Sequence, residues 1–384
     1  MYSKIQLFYL QTFYLYKGIN IYDMGPLKGI KIIEMTGIGP GPFAGMLLAD
    51  MGAEVIQVER ASADYVIPDC NRRGKKSIVL DLKKDSEVVK LLKLIRQADV
   101  IFEGFRPGVM ERLGIGPEIC LEQNPKLIYG RMTGWGQSGP LSTAAGHDIN
   151  YIAITGALYA TGRKDSPPAP PLNLIGDYGG GAMFLVTGIL AALLETQRSG
   201  LGQVIDVAMT EGTANLMSIF NTLDGIGQWN VNRASNLLDS GAHFYDCYET
   251  QDGLYISIGA IESKFYNLLI ELAELDPALF SAQLSVKKWP ELKSILKSVF
   301  LTKTRQEWCD IMEGTDVCFA PVLNYREAQS YAHNVARGSY INLDGIIQPA
   351  PAPKFSRTPS EVQHGSRQAG YDTTSILADW GVDD

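Results

Sequence analysis

The chain has 384 residues, too many for one ordinary core, and 46% of them are hydrophobic, enough to fill two. A formal net charge of −8 argues against broad nucleic-acid binding, which needs a basic surface, but leaves room for a local basic groove around an anionic ligand. Five scattered cysteines without a C-x-x-C pair argue against a zinc ribbon or a disulfide framework and suit a reducing compartment.

Residues 1–23 form a tyrosine- and leucine-rich run that polar residues interrupt. The run lacks a clean apolar core and a small-residue cleavage site, so it does not read as a signal peptide. It reads as an upstream extension or a wrongly assigned start, with Met24-Gly25-Pro26-Leu27 as the natural beginning. Lys31–Met35, a helix over Pro42–Met51 and Glu54–Val58 then make a β-α-β unit, the opening of a doubly wound sheet. Ser77–Leu82, Val100–Phe102 and Leu127–Arg131 are predicted strands, and Ser86–Ala98 is a predicted amphipathic helix. Asp177–Arg198 is predicted as a long apolar helix opened by glycines. Strand Gln203–Ala208 and a helix from Thr210 follow. No apolar run is read as reaching the ~20 residues of a membrane span.

The stretch near 220–245, rich in Gly, Asn and Asp, reads as a linker. Beyond it come a strand at Leu254–Ile258 and helices at Ser263–Leu272, Trp289–Phe300 and Thr304–Glu313. Pro349-Ala350-Pro351-Ala352-Pro353 is a stiff extended connector, and Ser375–Trp380 a helix returning to the first domain. The expected fold is α/β. Residues 24–225 form a large domain, 226–250 a linker and 251–335 a small α+β domain. Residues 336–384 form a second linker and the return.

Two features suggest an anionic ligand. Gly37-Ile38-Gly39-Pro40-Gly41-Pro42 follows the first strand like a dinucleotide fingerprint, with Glu59 where a ribose-binding acid would be. Pro42 replaces the third glycine, however, and two prolines stiffen the loop and remove N–H groups that a pyrophosphate would use. A tight strand-to-helix turn is the favoured reading, and nicotinamide binding is not expected. Arg60, Arg106 and Arg112 lie near strand ends, and Arg72, Arg73, Lys75 and Lys76 crowd one short stretch. Such clusters in an acidic protein suggest an anion-binding rim, although any single residue reads equally well as solvated surface.

Gly146-His147-Asp148-Ile149-Asn150-Tyr151 sets a histidine beside an aspartate. Thirty positions after His147, Asp177 stands at the start of the long helix. An imidazole near neutral pKa and a carboxyl group can move a proton between two faces of one carbon. His243, His333 and His364 read as structural or surface residues. Asp177 alone reads equally well as a helix cap.

Together these segments resemble the alpha-methylacyl-CoA racemases of the family III CoA-transferase superfamily, from about Met24 to the C-terminus. The resemblance rests on Gly134-Trp135-Gly136-Gln137-Ser138-Gly139-Pro140, Ala145–Tyr151, Pro171-Leu172-Asn173-Leu174 with Gly176-Asp177, and Gly259-Ala260-Ile261-Glu262. Gly202-Gln203-Val204-Ile205-Asp206 adds support. It implies a Rossmann-like large domain completed by the C-terminal tail, a smaller domain, and two chains interlocked as a homodimer. It also implies a site between the large domain of one subunit and the small domain of the other. Metal and cofactor are not expected, since CoA is part of the substrate.

The reaction implied is racemisation or epimerisation of 2-methylacyl-CoA thioesters at the alpha carbon, through an enolate. His147 and Asp177 would serve opposite faces, and Glu262 would pair with His147. N–H groups at the helix start near Asp177 would receive the enolate oxygen. To donate a proton Asp177 needs a raised pKa, whereas a helix N-terminus favours the carboxylate. Substrate binding, more than the empty site, is expected to set the balance. The CoA moiety is assigned to Arg60, Leu80, Asp81, Leu82, Lys83, Gly104, Phe105, Arg106, Arg112, Gly146, Asp148, Ile149, Asn150 and Tyr151, with Asp148 on the pantetheine arm. Ile38, Met209, Met217 and Leu238 are candidates for an acyl surface.

The close alternative is a CoA-transferase in which Asp177 attacks the thioester and carries the acyl group as an anhydride. Transferases use a glycine-rich loop that Gly259-Ala260-Ile261-Glu262 lacks. A non-catalytic acyl-CoA-binding protein is the alternative of another class. The chain ends without a peroxisomal S-K-L signal, so the expected location is the cytoplasm.

Overall fold

The computed structural model describes residues 25–61 and 69–382, so the stretch read as an N-terminal extension lies outside the described residues. Six parallel strands form one sheet: β1 (Lys31–Met35), β2 (Glu54–Glu59), β3 (Lys76–Val79), β4 (Val100–Glu103), β5 (Ile128–Thr133) and β6 (Gln203–Ala208). Their order is β3-β2-β1-β4-β5-β6, the doubly wound arrangement that reverses direction beside β1. Side chains alternate between the two faces. Ile33, Ile56, Ile78, Ile101 and Tyr129 join one core, and Ile32, Val55, Val100, Phe102 and Ile128 the other. Both faces are covered, so the strands read as near-continuous apolar runs rather than alternating ones.

Helix α1 (Pro40–Asp50) and helix α2 (Asp85–Ile95) cover opposite faces: Ala44 and Leu48 of α1 enter one core, Leu91 and Leu94 of α2 the other. α1 starts two residues before the predicted Pro42, because proline fits the first helical turn, where its missing N–H is not needed. α3 (Asp148–Ala153) is short. The glycine-rich stretch expected to open a helix at Asp177 is helical from Leu174, three residues earlier, and winds in π-turns over Leu174–Ala182 before continuing as α4 (Met183–Ser199). Contrary to the reading of run lengths, Leu174–Ser199 is 26 residues long and apolar enough, by length and composition, to cross a membrane. Its Leu185, Val186, Ile189 and Ala192 are buried against the sheet with Val100, Ile128 and Met132. α5 (Met209–Leu216) follows β6.

Residues 153–172 and 217–337 form a second unit of their own. It contains α6 (Ser218–Gly225), the antiparallel strands β7 (Tyr245–Glu249) and β8 (Tyr255–Gly259), and α7 (Ser263–Leu272). α8 (Trp289–Phe300), α9 (Arg305–Met312) and β9 (Phe319–Val322) complete it, in the sheet order β7-β8-β9. Phe244, Ile256, Leu269, Leu296, Phe300 and Trp308 fill its core. The segment 153–172 and helix α6 thus belong here rather than with the large domain of 24–225. The expected linker 226–250 contains β7. Tyr-Asp-Cys-Tyr-Glu favours a strand through Tyr245 and Tyr248, but it has no β-branched residue and follows the Gly-, Asn- and Asp-rich stretch that reads as a linker.

The first unit takes the chain back from Gly338 onward. Hairpin β10 (Tyr340–Leu343) and β11 (Ile346–Pro349) and helix α10 (Thr373–Asp379) make the return. Ile376 and Trp380 enter the core of the α2 face, and the Trp380 indole donates to Glu54 Oε1 at 3.3 Å.

The basic stretch 71–76 is not an anion-binding rim. Arg72 grips Glu59 with two bonds of 2.7 Å, Arg73 holds Asp50 at 2.6 Å, and Lys75 holds Glu34 at 2.8 Å. All three cations are buried with their partners. The short approach to β3 draws these charges inside, where each needs an opposite charge to offset lost hydration. Arg73 also donates to Gln348 Oε1 at 2.9 Å, and Gly74 N–H to the His364 carbonyl at 2.9 Å, so the cluster fastens the returning chain. Glu59 is spent on Arg72 and on the Ser77 hydroxyl, and is not available to a ribose.

Candidate active site

The carboxyl ends of β1 to β5 deliver the first unit's candidate residues to one edge of the sheet, where doubly wound folds bind ligands. The loop 37–39 follows β1, Arg60 follows β2, Leu80, Asp81, Leu82 and Lys83 follow β3, and Gly104, Phe105 and Arg106 follow β4. Arg112 ends the short helix Val109–Arg112 beyond. Arg60, Asp81, Lys83, Gly104, Arg106 and Arg112 are exposed. Leu80 is buried, and Leu82 and Phe105 pack on the same core, so those three side chains support the loops. The Phe105 N–H is taken by Glu103 Oε2 at 2.6 Å.

Gly134 follows β5 and packs on the segment that carries His147. The Tyr151 ring lies where side chains at Gly134 and Gly146 would be: a Cβ would come within 2.0 Å of it at Gly134 and 2.7 Å at Gly146. Trp135 meets that ring edge-on at 4.9 Å, and the Tyr151 hydroxyl donates to the Gly146 carbonyl. The two glycine-bearing motifs read separately in the sequence are therefore one packing unit. Asn150 Oδ1 accepts the His147 N–H at 3.1 Å, while the His147 carbonyl accepts from Asn150 N at 2.8 Å and Tyr151 N at 3.2 Å. His147 thus stands just ahead of α3 with its backbone fixed and the residue exposed. Ile149, also assigned to CoA, is 44% exposed on the same helix.

Asp177 lies inside the π-turn, half-buried. Asn173 Nδ2 donates to its Oδ2 at 3.2 Å. A Cβ at Gly39 would come 3.2 Å from the same oxygen, so the β1–α1 loop closes over the carboxyl group. Tyr178 stacks on Phe43 of α1 with ring centroids 4.3 Å apart. Burial raises the Asp177 pKa; the Asn173 hydrogen bond lowers it, the nearby Asp148 carboxylate raises it, and His147 lowers it. The chain by itself therefore already pushes Asp177 toward its protonated form, ahead of any contribution from substrate. His147 and Asp177, thirty positions apart, are brought close enough for one to act on the other's charge.

Asp148 is 6% exposed, and its Oδ1 accepts the Asp177 N–H at 2.7 Å. Gly176 leaves the room this requires, since a Cβ there would sit 2.5 Å from that oxygen. The Tyr178 N–H reaches back to the Asn173 carbonyl at 3.4 Å. The N–H groups of Asp177 and Tyr178 are thus both occupied and do not await an enolate oxygen as expected.

Glu262 belongs to the second unit, at the position preceding α7, where it is exposed and its side chain makes no capping bond. Of the acyl-surface candidates, Ile38 is 83% exposed, Leu238 is exposed and Met209 is buried in the first unit's core. His243 is buried on the Tyr266 hydroxyl at 2.7 Å, and burial with Lys293 nearby pushes it down to about 4. Cys120 and Cys309 are buried, and all five thiols are free. Among the described residues no group of three or more His, Cys, Asp or Glu side chains is placed to hold a metal ion.

Comparison with known proteins gives a consistent picture. The family model described as CoA-transferase family III matches residues 27–373. The alpha-methylacyl-CoA racemase of Mus musculus is 46% identical over 359 residues, covering 92% of this chain and 93% of the mouse protein. That of Homo sapiens is 45% identical over 358 residues, with the same coverage of each. Among solved structures, Rv3272 of M. tuberculosis is 26% identical with a TM-score of 0.76, spanning 92% of this chain and all of the other. The chain belongs to CoA-transferase family III.

Proposed function

We propose that this protein is a racemase of 2-methylacyl-CoA thioesters, acting by proton removal and return at the alpha carbon. The observation that carries the reading is the setting of the Asp177 carboxyl group, half-buried, bonded to Asn173 and covered by the Gly39 loop, with His147 near enough to act on its charge. Neutral His147 takes the alpha proton, and the C–H electron pair passes to the thioester carbonyl as an enolate. Protonated Asp177 then delivers its proton to the opposite face. His147 ends as imidazolium and Asp177 as carboxylate, which is the protonation state required for the reverse reaction. Arg60, Arg106 and Arg112, exposed at the carboxyl edge of the sheet, would meet the phosphates of CoA.

Glu262 enters this reading from a second copy of the chain, in a homodimer where the second unit of one copy faces the first unit of the other. Its carboxylate would orient the His147 imidazole and stabilise its charged form. Its exposure and lack of a capping bond fit that role.

The absence of a glycine run in Gly259-Ala260-Ile261-Glu262 weighs against the transferase alternative. Incubation of a 2-methylacyl-CoA in heavy water without an acceptor acid decides the matter. The racemase labels the alpha carbon and scrambles its configuration; acyl transfer dependent on an acceptor, without label, would refute the proposal.

A further inference from the structure

We infer that Asp148 is a positioning residue for Asp177: it caps the helix head in place of Asp177, so that the Asp177 carboxyl group is left free to carry the proton. This rests on the racemase reading and deepens it. Asp148 had been assigned to the pantetheine arm of CoA, but its geometry points inward. One carboxylate oxygen takes the Asp177 N–H at 2.7 Å, and Gly176 admits that oxygen by having no side chain. The other oxygen is buried without a hydrogen-bond partner, so the field of the group falls on its neighbours.

The division of labour follows from helix electrostatics. The unsatisfied N–H groups at a helix head favour one negative charge. Asp148 supplies it from α3, against the backbone of Asp177 rather than its side chain. The Asp177 carboxyl group is directed instead toward Asn173 and the Gly39 loop. Around it, α1 and its loop contribute Gly39 and the uncharged Phe43, and α5 packs on the π-turn through Met209 and Thr213, its Glu211 being exposed. The charged groups that act on Asp177 are Asp148 and His147, and Tyr151 in turn feels Asp177 and Arg106.

Two variants separate the two contributions. In Asp148→Asn an amide oxygen still accepts the Asp177 N–H while the charge is gone; in Asp148→Ala both are gone. Alpha-proton exchange is followed as a function of pH from each enantiomer. For D148N the acid limb of kcat/KM moves to lower pH, by the same amount from either enantiomer, because the equilibrium between the two fixes the ratio of the two directions. KM stays within about twofold, since no contact to substrate is lost. D148A loses roughly tenfold or more in kcat through misplacement of Asp177. Should D148A fail to fold, D148N still carries the test. An unmoved pH profile with a raised KM in D148N would overturn the inference and return Asp148 to the substrate. Titration of the Asp177 carboxyl carbon by NMR in substrate-free wild type and D148N needs no turnover. It therefore separates failure of this inference, seen as an identical titration, from failure of the racemase reading, seen as absence of exchange in wild type.

Discussion

Replacing Lys75 with methionine should be among the most damaging single changes outside the reacting groups. Lys75 is 1% exposed, bonded to Glu34 at 2.8 Å and to the Pro42 carbonyl at 3.1 Å. Glu34 is fully buried, and its other oxygen is held by Gln57 Nε2 at 3.1 Å. Methionine fills the volume but leaves Glu34 as a buried charge with one amide partner. Removing one member of a buried pair costs about 3–5 kcal/mol, a large part of the roughly 5–15 kcal/mol that holds a domain together. For a unit of this size that is a fall in Tm on the order of 10 °C. The double variant Glu34→Gln/Lys75→Met keeps an acceptor for Gln57 and removes both charges, so it should lose only about 2 kcal/mol or less.

Urea unfolding of wild type, both single variants and the double closes the cycle. If K75M loses less than about 1 kcal/mol, or the double loses the sum of the singles, the buried-pair reasoning fails. A functional consequence is expected where K75M is still folded. The Pro42 carbonyl is in the first turn of α1, next to Phe43, which stacks on Tyr178, and the helix is preceded by Gly39 over the Asp177 carboxyl group. A loosened α1 should therefore lower kcat more than it raises KM.

Asp177→Asn should slow inversion of the alpha carbon at least about a hundredfold yet melt above wild type at pH 7. The folded pKa of Asp177 is raised from its ordinary 3.8, so the stability this group gives is complete below pH 3.8 and is lost as pH rises through the folded value. The advantage of the amide should close as pH falls toward 4; a lower Tm at pH 7 would contradict the assignment. His243, pushed down to about 4 from 6.5, has the opposite sign: the second unit should lose stability as pH falls from 6.5 to about 4. His243→Gln should flatten that slope in acid-unfolding curves, and an unchanged slope would count against it. In the proposed homodimer, His147→Ala and Glu262→Ala, each nearly inactive alone, should on subunit exchange regain roughly a quarter of wild-type exchange activity, because half the dimers would carry one intact site. No recovery in verified mixed dimers would place Glu262 in the same chain as its histidine, or outside the site.

The first unit's strands were legible because a parallel sheet covered on both faces writes itself as short apolar runs. Helices α7 and α8 matched their predicted bounds because their apolar residues repeat at helical spacing. What escaped has physical reasons. A stretch such as Arg72–Lys76 states its charge but not its burial, and the carboxylates that draw it inside, Glu34, Asp50 and Glu59, lie far back in the sequence. The excursion of 153–172 into the second unit interrupts the path between the two motifs of the site; the proline run Pro167-Pro168-Ala169-Pro170-Pro171 marks an extended stretch there but not which unit the segment joins. His147 and Asp177 stand out in the sequence as residue types suited to proton transfer, but no local pattern joins positions thirty apart, and the resemblance is what assigns them to opposite faces of one carbon.

The helix carrying Asp177 posed a conflict in the sequence: a helix head favours a carboxylate, while a proton donor must resist becoming one. Packing removes the conflict by separating the two demands onto neighbouring acids. The π-turn moves Asp177 past the first residues of the helix, and its N–H group, which would have stabilised a negative charge, is already bonded to Asp148. What remains around the Asp177 carboxyl group is burial, a second negative charge, one amide donor and an imidazole. Burial is the largest of these, and the like charge adds to it, so the pKa of the group stands above its ordinary value before substrate arrives. Further desolvation by an acyl chain would act in the same direction, so substrate binding adds to a shift that the fold begins.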